Sequence, residues 1–91
     1  MPYQLITPDS YLRKAQKFLK SHPELFKSYE KTLRLLVENP YHPSLRLHKL
    51  EGKLQDLYSV SINLSYRITC EFMIQDQQII LVNIGSHDAV Y

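Results

Sequence analysis

Three residues of this sequence have side chains suited to acid–base chemistry on a phosphodiester: His48, Arg67 and His87. One imidazole can take the proton of a 2′-hydroxyl, and a second acidic group can protonate the departing 5′-oxygen. A planar guanidinium fits phosphate oxygens and stabilises the charge that develops on them. Because the three residues are far apart in the chain, the elements between them must bring them together.

Arg67 has a structural as well as a chemical interpretation. It occupies a polar position in the middle of a predicted strand, between small hydroxyl residues. There it could form a cross-strand ion pair with Glu71 or Asp56 instead of binding phosphate. The sequence alone leaves both roles open.

The four histidines occupy different contexts. His48 lies in the loop-like stretch LRLHKLEGK that leads into the predicted sheet, and a neutral imidazole there can act as a general base. His87 follows the last predicted strand, whereas His22 lies in a predicted helix–helix turn and His42 in a proline-rich loop. We therefore expect structural roles for His22 and His42. The basic neighbours of His48 are Arg46, Lys49 and Lys53.

Other common catalytic frameworks find no support in the sequence. His42 and His48 are six residues apart in a loop, and the single cysteine, Cys70, lies in an apolar strand pattern, so no zinc-like spacing is present. The neighbouring residues Ser86, His87 and Asp88 do not form a nucleophile elbow, and no glycine-rich phosphate loop occurs. We expect neither a metal nor a cofactor.

The first half of the sequence predicts a short strand followed by two helices. YQLI (3–6) forms the strand, and Pro8 suits the first turn of the first helix. In SHPE (21–24), Ser21 and Glu24 have the spacing of a capping box that starts the second helix, and Pro40 and Pro43 end it. Two apolar stripes at helical spacing are predicted to face the core: Leu12, Ala15, Phe18 and Leu19, then Leu25, Phe26, Tyr29, Leu33, Leu36 and Val37.

After residue 53 the apolar period changes from helical to alternating. Strands are predicted over 58–64, 66–73 and 79–84, with a turn at 75–78 and an exit from the last strand at Gly85. The order β-α-α-β-β-β predicts an α+β fold, a helical hairpin packed on a small curved antiparallel sheet, in a single domain over residues 1–91. The outer face should expose Ser59, Ser61, Arg67, Thr69 and Asn83.

Charge and composition narrow the class of protein further. Residues 12–53 carry ten Lys and Arg against four Asp and Glu, whereas residues 54–91 carry one against four. This asymmetry indicates either a basic surface that attracts a polyanion or an ordinary solubilising helix face. The lone cysteine, the absence of a long apolar run and an N-terminus unlike a signal peptide together predict a cytoplasmic, non-membrane protein.

The second half of the sequence resembles a known family. LRLHKLEGKLQDLYSVSINLSYRITCEF and the ending IILVNIGSHDAVY are similar to the RelE/ParE superfamily of bacterial toxins, over about residues 45–91. The ending GSHDAVY and the stretch LHKLEG are most similar to YafQ-type members, and YRI is similar to the middle strand of RelE-type members. The resemblance implies the toxin of a type II toxin–antitoxin module, with an antitoxin that wraps the toxin and masks its site.

The resemblance also implies an activity and a set of site residues. YafQ- and RelE-type toxins are metal-independent endoribonucleases, mRNA interferases that act on the ribosome. By this match His87 and His48 are the acid–base candidates, with their order open, and Arg67 stabilises the phosphate. Tyr91 would stack on a base, and the basic residues Lys49, Lys53 and Arg46 would contact RNA.

Two other functions are compatible with the same resemblance. ParE-type members inhibit DNA gyrase without cleaving RNA, because one fold serves both activities. A degenerate member would act only as a repressor together with its antitoxin. A titratable histidine at the strand tip favours the nuclease.

Overall fold

The computed structural model describes residues 2–51, 57–73 and 76–86. The chain forms strand β1 (Gln4–Ile6), helix α1 (Asp9–Ser21) and helix α2 (Phe26–Glu38), with a 3-10 turn at Pro23–Leu25 between the helices. A second 3-10 turn (Pro43–Leu45) leads to the four remaining strands. These are β2 (His48–Lys49), β3 (Tyr58–Ser61), β4 (Tyr66–Met73) and β5 (Gln78–Ser86).

The five strands form one sheet in the order β1-β5-β4-β3-β2. The predicted α+β class is confirmed, but the sheet is mixed, because β1 pairs in parallel with β5 while all other pairs are antiparallel. The two-residue strand β2 was predicted to be a loop. It pairs with β3 through His48 opposite Ser59, so β3 lies inside the sheet and not at its edge.

The core lies between the helices and one face of the sheet. A buried hydrogen bond of 2.7 Å joins the hydroxyls of Tyr11 on α1 and Tyr29 on α2. Burial raises the pKa of both hydroxyls, so they remain protonated. The sheet contributes these fully buried residues to the core: Val60, Ile68, Cys70, Ile79 and Leu81.

Both predicted helices are present, but two predicted core positions are wrong. Leu12 and Phe26 are 40% and 50% exposed, while Tyr11 is fully buried in their place. The predicted capping box is also wrong, because Ser21 is the last residue of α1 and not the cap of α2. The backbone N–H of His22 caps the C-terminal end of α1, and the His22 Nδ1 lies 3.0 Å from the Phe18 carbonyl oxygen.

Strand β3 is shorter than predicted and β5 is longer. The Asn63 side-chain oxygen accepts hydrogen bonds from the backbone of Ser65 and Tyr66 and closes a turn, which leaves Leu64 exposed. Gly85 was predicted to end the last strand, yet it lies inside β5 opposite Arg67.

Both helices are 13 residues long, roughly 20 Å at the rise of an α-helix. Within the described residues, no helix has the length and hydropathy needed to cross a membrane.

Candidate functional site

One face of the sheet carries the two described catalytic candidates, His48 and Arg67. Antiparallel partners project from the same face, and the register aligns His48, Ser59, Thr69 and Asn83 across β2, β3, β4 and β5. The next row on that face contains Ser61, Arg67 and Gly85. We refer to this surface as the polar face.

A β-bulge in β5 changes the register between β4 and β5. Thr69 pairs with Asn83 and Cys70 pairs with Leu81, so Val82 is an extra residue on β5. As a result, Leu81 and Ile84 both belong to the core although they are three residues apart. The bulge therefore brings Gly85 opposite Arg67.

Arg67 lies near the start of β4, the middle strand of the sheet, and is half-buried. Its two cross-strand partners are Ser61, which is small, and Gly85, which has no side chain. Of the predicted ion-pair partners, Glu71 lies four residues along the same strand, roughly 13 Å away at the rise of an extended chain, and Asp56 lies outside the described residues.

His48 is exposed on the edge strand, and a backbone contact orients it. Its Nδ1 lies 3.1 Å from the carbonyl oxygen of Arg46. A carbonyl only accepts, so Nδ1 carries the proton and, in the neutral ring, Nε2 carries the lone pair that a general base needs. Arg46 has a left-handed backbone (φ 49°), an unusual conformation for a residue other than glycine, and it aims this carbonyl at His48.

His48 and Arg67 lie two strands and one row apart on the polar face. From the standard spacing of strands and residues, their Cα atoms are about 12 Å apart. Two long side chains that project from one face at this separation can reach the same phosphodiester from opposite sides.

Two hydroxyl groups between these residues were predicted to be exposed but are buried. Ser59 and Thr69 are 0% and 2% exposed, and each lies on a strand that is paired on both sides. Neither hydroxyl has a hydrogen-bond partner within the described part of the chain. Unpaired buried hydroxyls cost stability and are rare in proteins. Ser61 was also predicted to be exposed, but it is 6% exposed and donates to the carbonyl of Asn63.

The remaining candidates are distributed differently. Lys49 is exposed but pairs with Tyr58, so strand alternation turns it away from the polar face. Arg46 is exposed beside His48. Lys53, His87 and Tyr91 lie outside the described residues, and the last described residue, Ser86, pairs with Tyr66 at the end of β4.

The other two histidines have structural contacts. His22 stacks on Phe18 at 4.6 Å and meets the edge of Tyr66 at 4.8 Å. His42 Nδ1 accepts a hydrogen bond from the backbone of Ser44 and caps the turn before β2. Among the described residues, no three His, Cys, Asp or Glu side chains are grouped as a metal site would require.

The basic charge predicted from the sequence lies mainly on the helices. On α1, Arg13, Lys14, Lys17 and Lys20 are all exposed, and on α2 so are Lys27, Lys31 and Arg34. These side chains are directed to solvent, where they can attract a polyanion at long range.

The chain shares its fold with solved structures of toxins, so the fold that the resemblance implied is confirmed. YafQ from E. coli strain BL21(DE3) superimposes with a TM-score of 0.79 at 11% identity over 98% of both chains. The E. coli DinJ–YafQ toxin–antitoxin complex gives 0.77 at 13% identity over 100% of this chain and 99% of the other. A YoeB/ParE toxin from Agrobacterium tumefaciens gives 0.74 at 13% identity, over 92% and 98%.

No protein-family model matches the sequence, and no curated protein matches it at a significant level. Sequence identities this low show a shared fold, and function must be argued from the site.

Proposed function

We propose that this protein is the toxin of a type II toxin–antitoxin module and cleaves mRNA on the ribosome. The observation that carries the proposal is the position of Arg67 on the polar face. Arg67 pairs with Gly85, which precedes His87 by two residues in the sequence. Arg67 also lies on the same face of the sheet as His48. The fold shared with YafQ adds support.

In this mechanism the three candidate residues have separate tasks. The Arg67 guanidinium binds the scissile phosphate and stabilises the charge of the crowded transition state. One histidine removes the 2′-hydroxyl proton, and the other protonates the leaving 5′-oxygen. The Nδ1 contact of His48 with the Arg46 carbonyl suits His48 to the role of base, with Nε2 as the accepting atom.

The remaining site residues would hold the RNA. Arg46 stands beside His48 and can contact a phosphate next to the cleavage point. Lys49 would contact the RNA backbone outside the polar face, Lys53 is a further proposed contact to the RNA backbone, and Tyr91 would stack on a base. Such contacts position the substrate without reading its sequence.

The proposed partner is a cognate antitoxin, with which the protein would form a hetero-oligomer in the cytoplasm. The fold is shared with YafQ, which is known in complex with DinJ as a toxin–antitoxin pair. An antitoxin segment lying across the polar face would cover Arg67 and His48 together and block RNA.

The test is expression without antitoxin, followed by mapping of transcript ends. Wild type should arrest growth and cut ribosome-bound mRNA, whereas His87→Ala and Arg67→Ala should do neither. Arg34→Ala removes an exposed arginine from α2 and serves as the matched control, which should retain cleavage. Full activity of both site variants would disprove the proposal.

The second candidate function is inhibition of DNA gyrase, and the fold likeness to the YoeB/ParE toxin is what favours it. In that case purified protein would block supercoiling and leave ribosome-bound mRNA intact. Supercoiling assays beside the cleavage assay separate the two functions.

A further inference from the structure

The connection between α2 and β2 contains a strained residue that contacts His48. Arg46 ends the 3-10 turn Pro43–Leu45 in a left-handed backbone conformation, with φ 49° and ψ 45°. Residues other than glycine rarely adopt this conformation, and they keep it only where the surrounding structure fixes it. The contacts that hold Arg46 in this conformation therefore also determine where its carbonyl points.

Backbone hydrogen bonds and a buried side chain hold the end of the turn. The Arg46 N–H donates to the Pro43 carbonyl at 3.2 Å, and the Leu45 N–H donates to the His42 carbonyl at 3.0 Å. Leu45 is 1% exposed and belongs to the core, so its side chain anchors the turn there. The start of the turn depends on a side chain instead.

His42 caps the start of the turn with a ring nitrogen. Its Nδ1 accepts a hydrogen bond from the Ser44 backbone N–H at 3.2 Å, which makes this nitrogen an acceptor. The Ser44 hydroxyl lies 2.8 Å from the same nitrogen, so it donates to it as well. The residues that usually cap a helical turn in this way are Ser, Thr, Asp and Asn. The His42 ring takes their place, and its loss would leave Ser44 without its acceptor.

These contacts form a continuous chain from His42 to the candidate base. His42 caps the turn, the turn ends in the left-handed Arg46, and the Arg46 carbonyl oxygen lies 3.1 Å from His48 Nδ1. Rotation of residue 46 out of the left-handed region would turn this carbonyl away from the imidazole. Because the proton of a neutral imidazole can lie on either nitrogen, His48 would then lose its fixed tautomer.

Building on the proposed RNA cleavage, we propose that His42 is a positioning residue of the site. Through the turn and Arg46, it holds His48 with the ring proton on Nδ1 and with Nε2 available to accept the 2′-hydroxyl proton. This role requires no contact between His42 and RNA.

The tautomer of His48 can be measured without cleavage, by ¹H–¹⁵N NMR spectra of the ring nitrogens in the full-length protein. At about pH 8, where histidine side chains are ordinarily neutral, Nδ1 of His48 should carry the proton in wild type. His42→Ala should give a mixture of both tautomers. His42→Asn should retain the wild-type tautomer, because the Asn side-chain oxygen can accept the Ser44 N–H.

A second pair of variants tests the backbone of residue 46 apart from its side chain. Arg46→Gly and Arg46→Val both remove the guanidinium, but glycine adopts the left-handed conformation readily and the β-branched valine does not. Arg46→Gly should keep the His48 proton on Nδ1, and Arg46→Val should release it. In ribosome-dependent cleavage both should raise KM, while only Arg46→Val should also lower kcat.

Cleavage should follow the tautomer. General-base catalysis contributes about 10²–10⁴ in rate, so a partly misdirected base should cost about tenfold in kcat with little change in KM. We expect this loss for His42→Ala and its recovery in His42→Asn. His22→Ala is the matched control, because His22 is another half-buried histidine, whose ring stacks on Phe18. It should change neither the His48 tautomer nor kcat, and circular dichroism checks that each variant is folded.

Three results would overturn the proposal: a wild-type His48 with its proton on Nε2, an unchanged tautomer in folded His42→Ala and Arg46→Val, or no recovery in His42→Asn. The tautomer is read apart from cleavage, so the two proposals can fail separately. Tautomer changes as expected in a protein that cuts no mRNA would disprove the nuclease and keep the role of His42 in holding the ring. Cleavage by wild type with an unchanged tautomer in His42→Ala would do the reverse.

Discussion

Consecutive residues of β4 show how differently the two faces of the sheet are used. Ile68 and Cys70 are fully buried against the helices, where apolar neighbours surround them. Arg67 and Thr69 project from the polar face, where a half-buried cation lies near buried hydroxyls that have no hydrogen-bond partner among the described residues. The core face stabilises the fold, whereas the polar face contains buried polar groups that lower stability. Such destabilising polar groups are typical of a functional surface.

The largest expected effect on stability comes from the core face. Ile68→Ala should lower the free energy of unfolding by about 2–5 kcal/mol, because it leaves a cavity in a fully buried position. Urea unfolding followed by circular dichroism measures this loss. A loss below about 1 kcal/mol would mean that the helices do not pack tightly on β4.

Alkaline pH should lower the free energy of unfolding through Cys70, which lies on the core face of the sheet. Burial raises the pKa of the Cys70 thiol from 9.0 to about 12, so the unfolded chain loses this proton at a lower pH than the folded chain. Stability from this group is complete below about pH 9 and falls as pH rises towards 12, by about 1.4 kcal/mol between roughly pH 8 and pH 10.

Cys70→Ala is the control for this pH dependence. It should reduce the slope between about pH 8 and pH 10, where the thiol dominates. The tyrosine pair of the core, whose pKa values are also raised, should still destabilise the variant above about pH 10. An unchanged slope below pH 10 would contradict the role given to Cys70.

Substitutions of buried hydroxyl residues on the polar face should raise stability, and by less than the core substitution lowers it. Thr69→Val keeps the side-chain volume and removes a buried hydroxyl that has no partner among the described residues, so stability should rise by about 1 kcal/mol. Ser59→Ala should act in the same direction. Thermal unfolding measures both changes, and a clear loss of stability would mean that these hydroxyls are satisfied in solution.

The core face was largely predictable from the sequence because its signals are local. Alternation in β4 and helical spacing in α2 correctly predicted Ile68, Cys70 and Leu36 as buried. The errors also have local causes. Tyr11, and not the predicted Leu12, is buried in the core. The Tyr11 hydroxyl can be buried because it forms a hydrogen bond with the Tyr29 hydroxyl.

The polar face was less predictable because it depends on contacts between distant segments. A two-residue strand has no periodicity, so His48 was predicted to lie in a loop and Ser59 to be exposed. The bulge at Val82 and the parallel pairing of β1 with β5 also leave no local pattern. Arg67 and His48 could be selected by residue type and resemblance, but their common face follows from the register alone.

The most direct test of the central claim compares Arg67→Ala with Thr69→Val in ribosome-dependent mRNA cleavage by purified protein. Both residues lie on the polar face of β4, and only Arg67 is proposed to bind phosphate. Loss of one group that stabilises the transition state costs about 10²–10³ in rate. We expect that loss for Arg67→Ala at unchanged folding, with Thr69→Val close to wild type. Equal cleavage by Arg67→Ala and wild type would contradict the account.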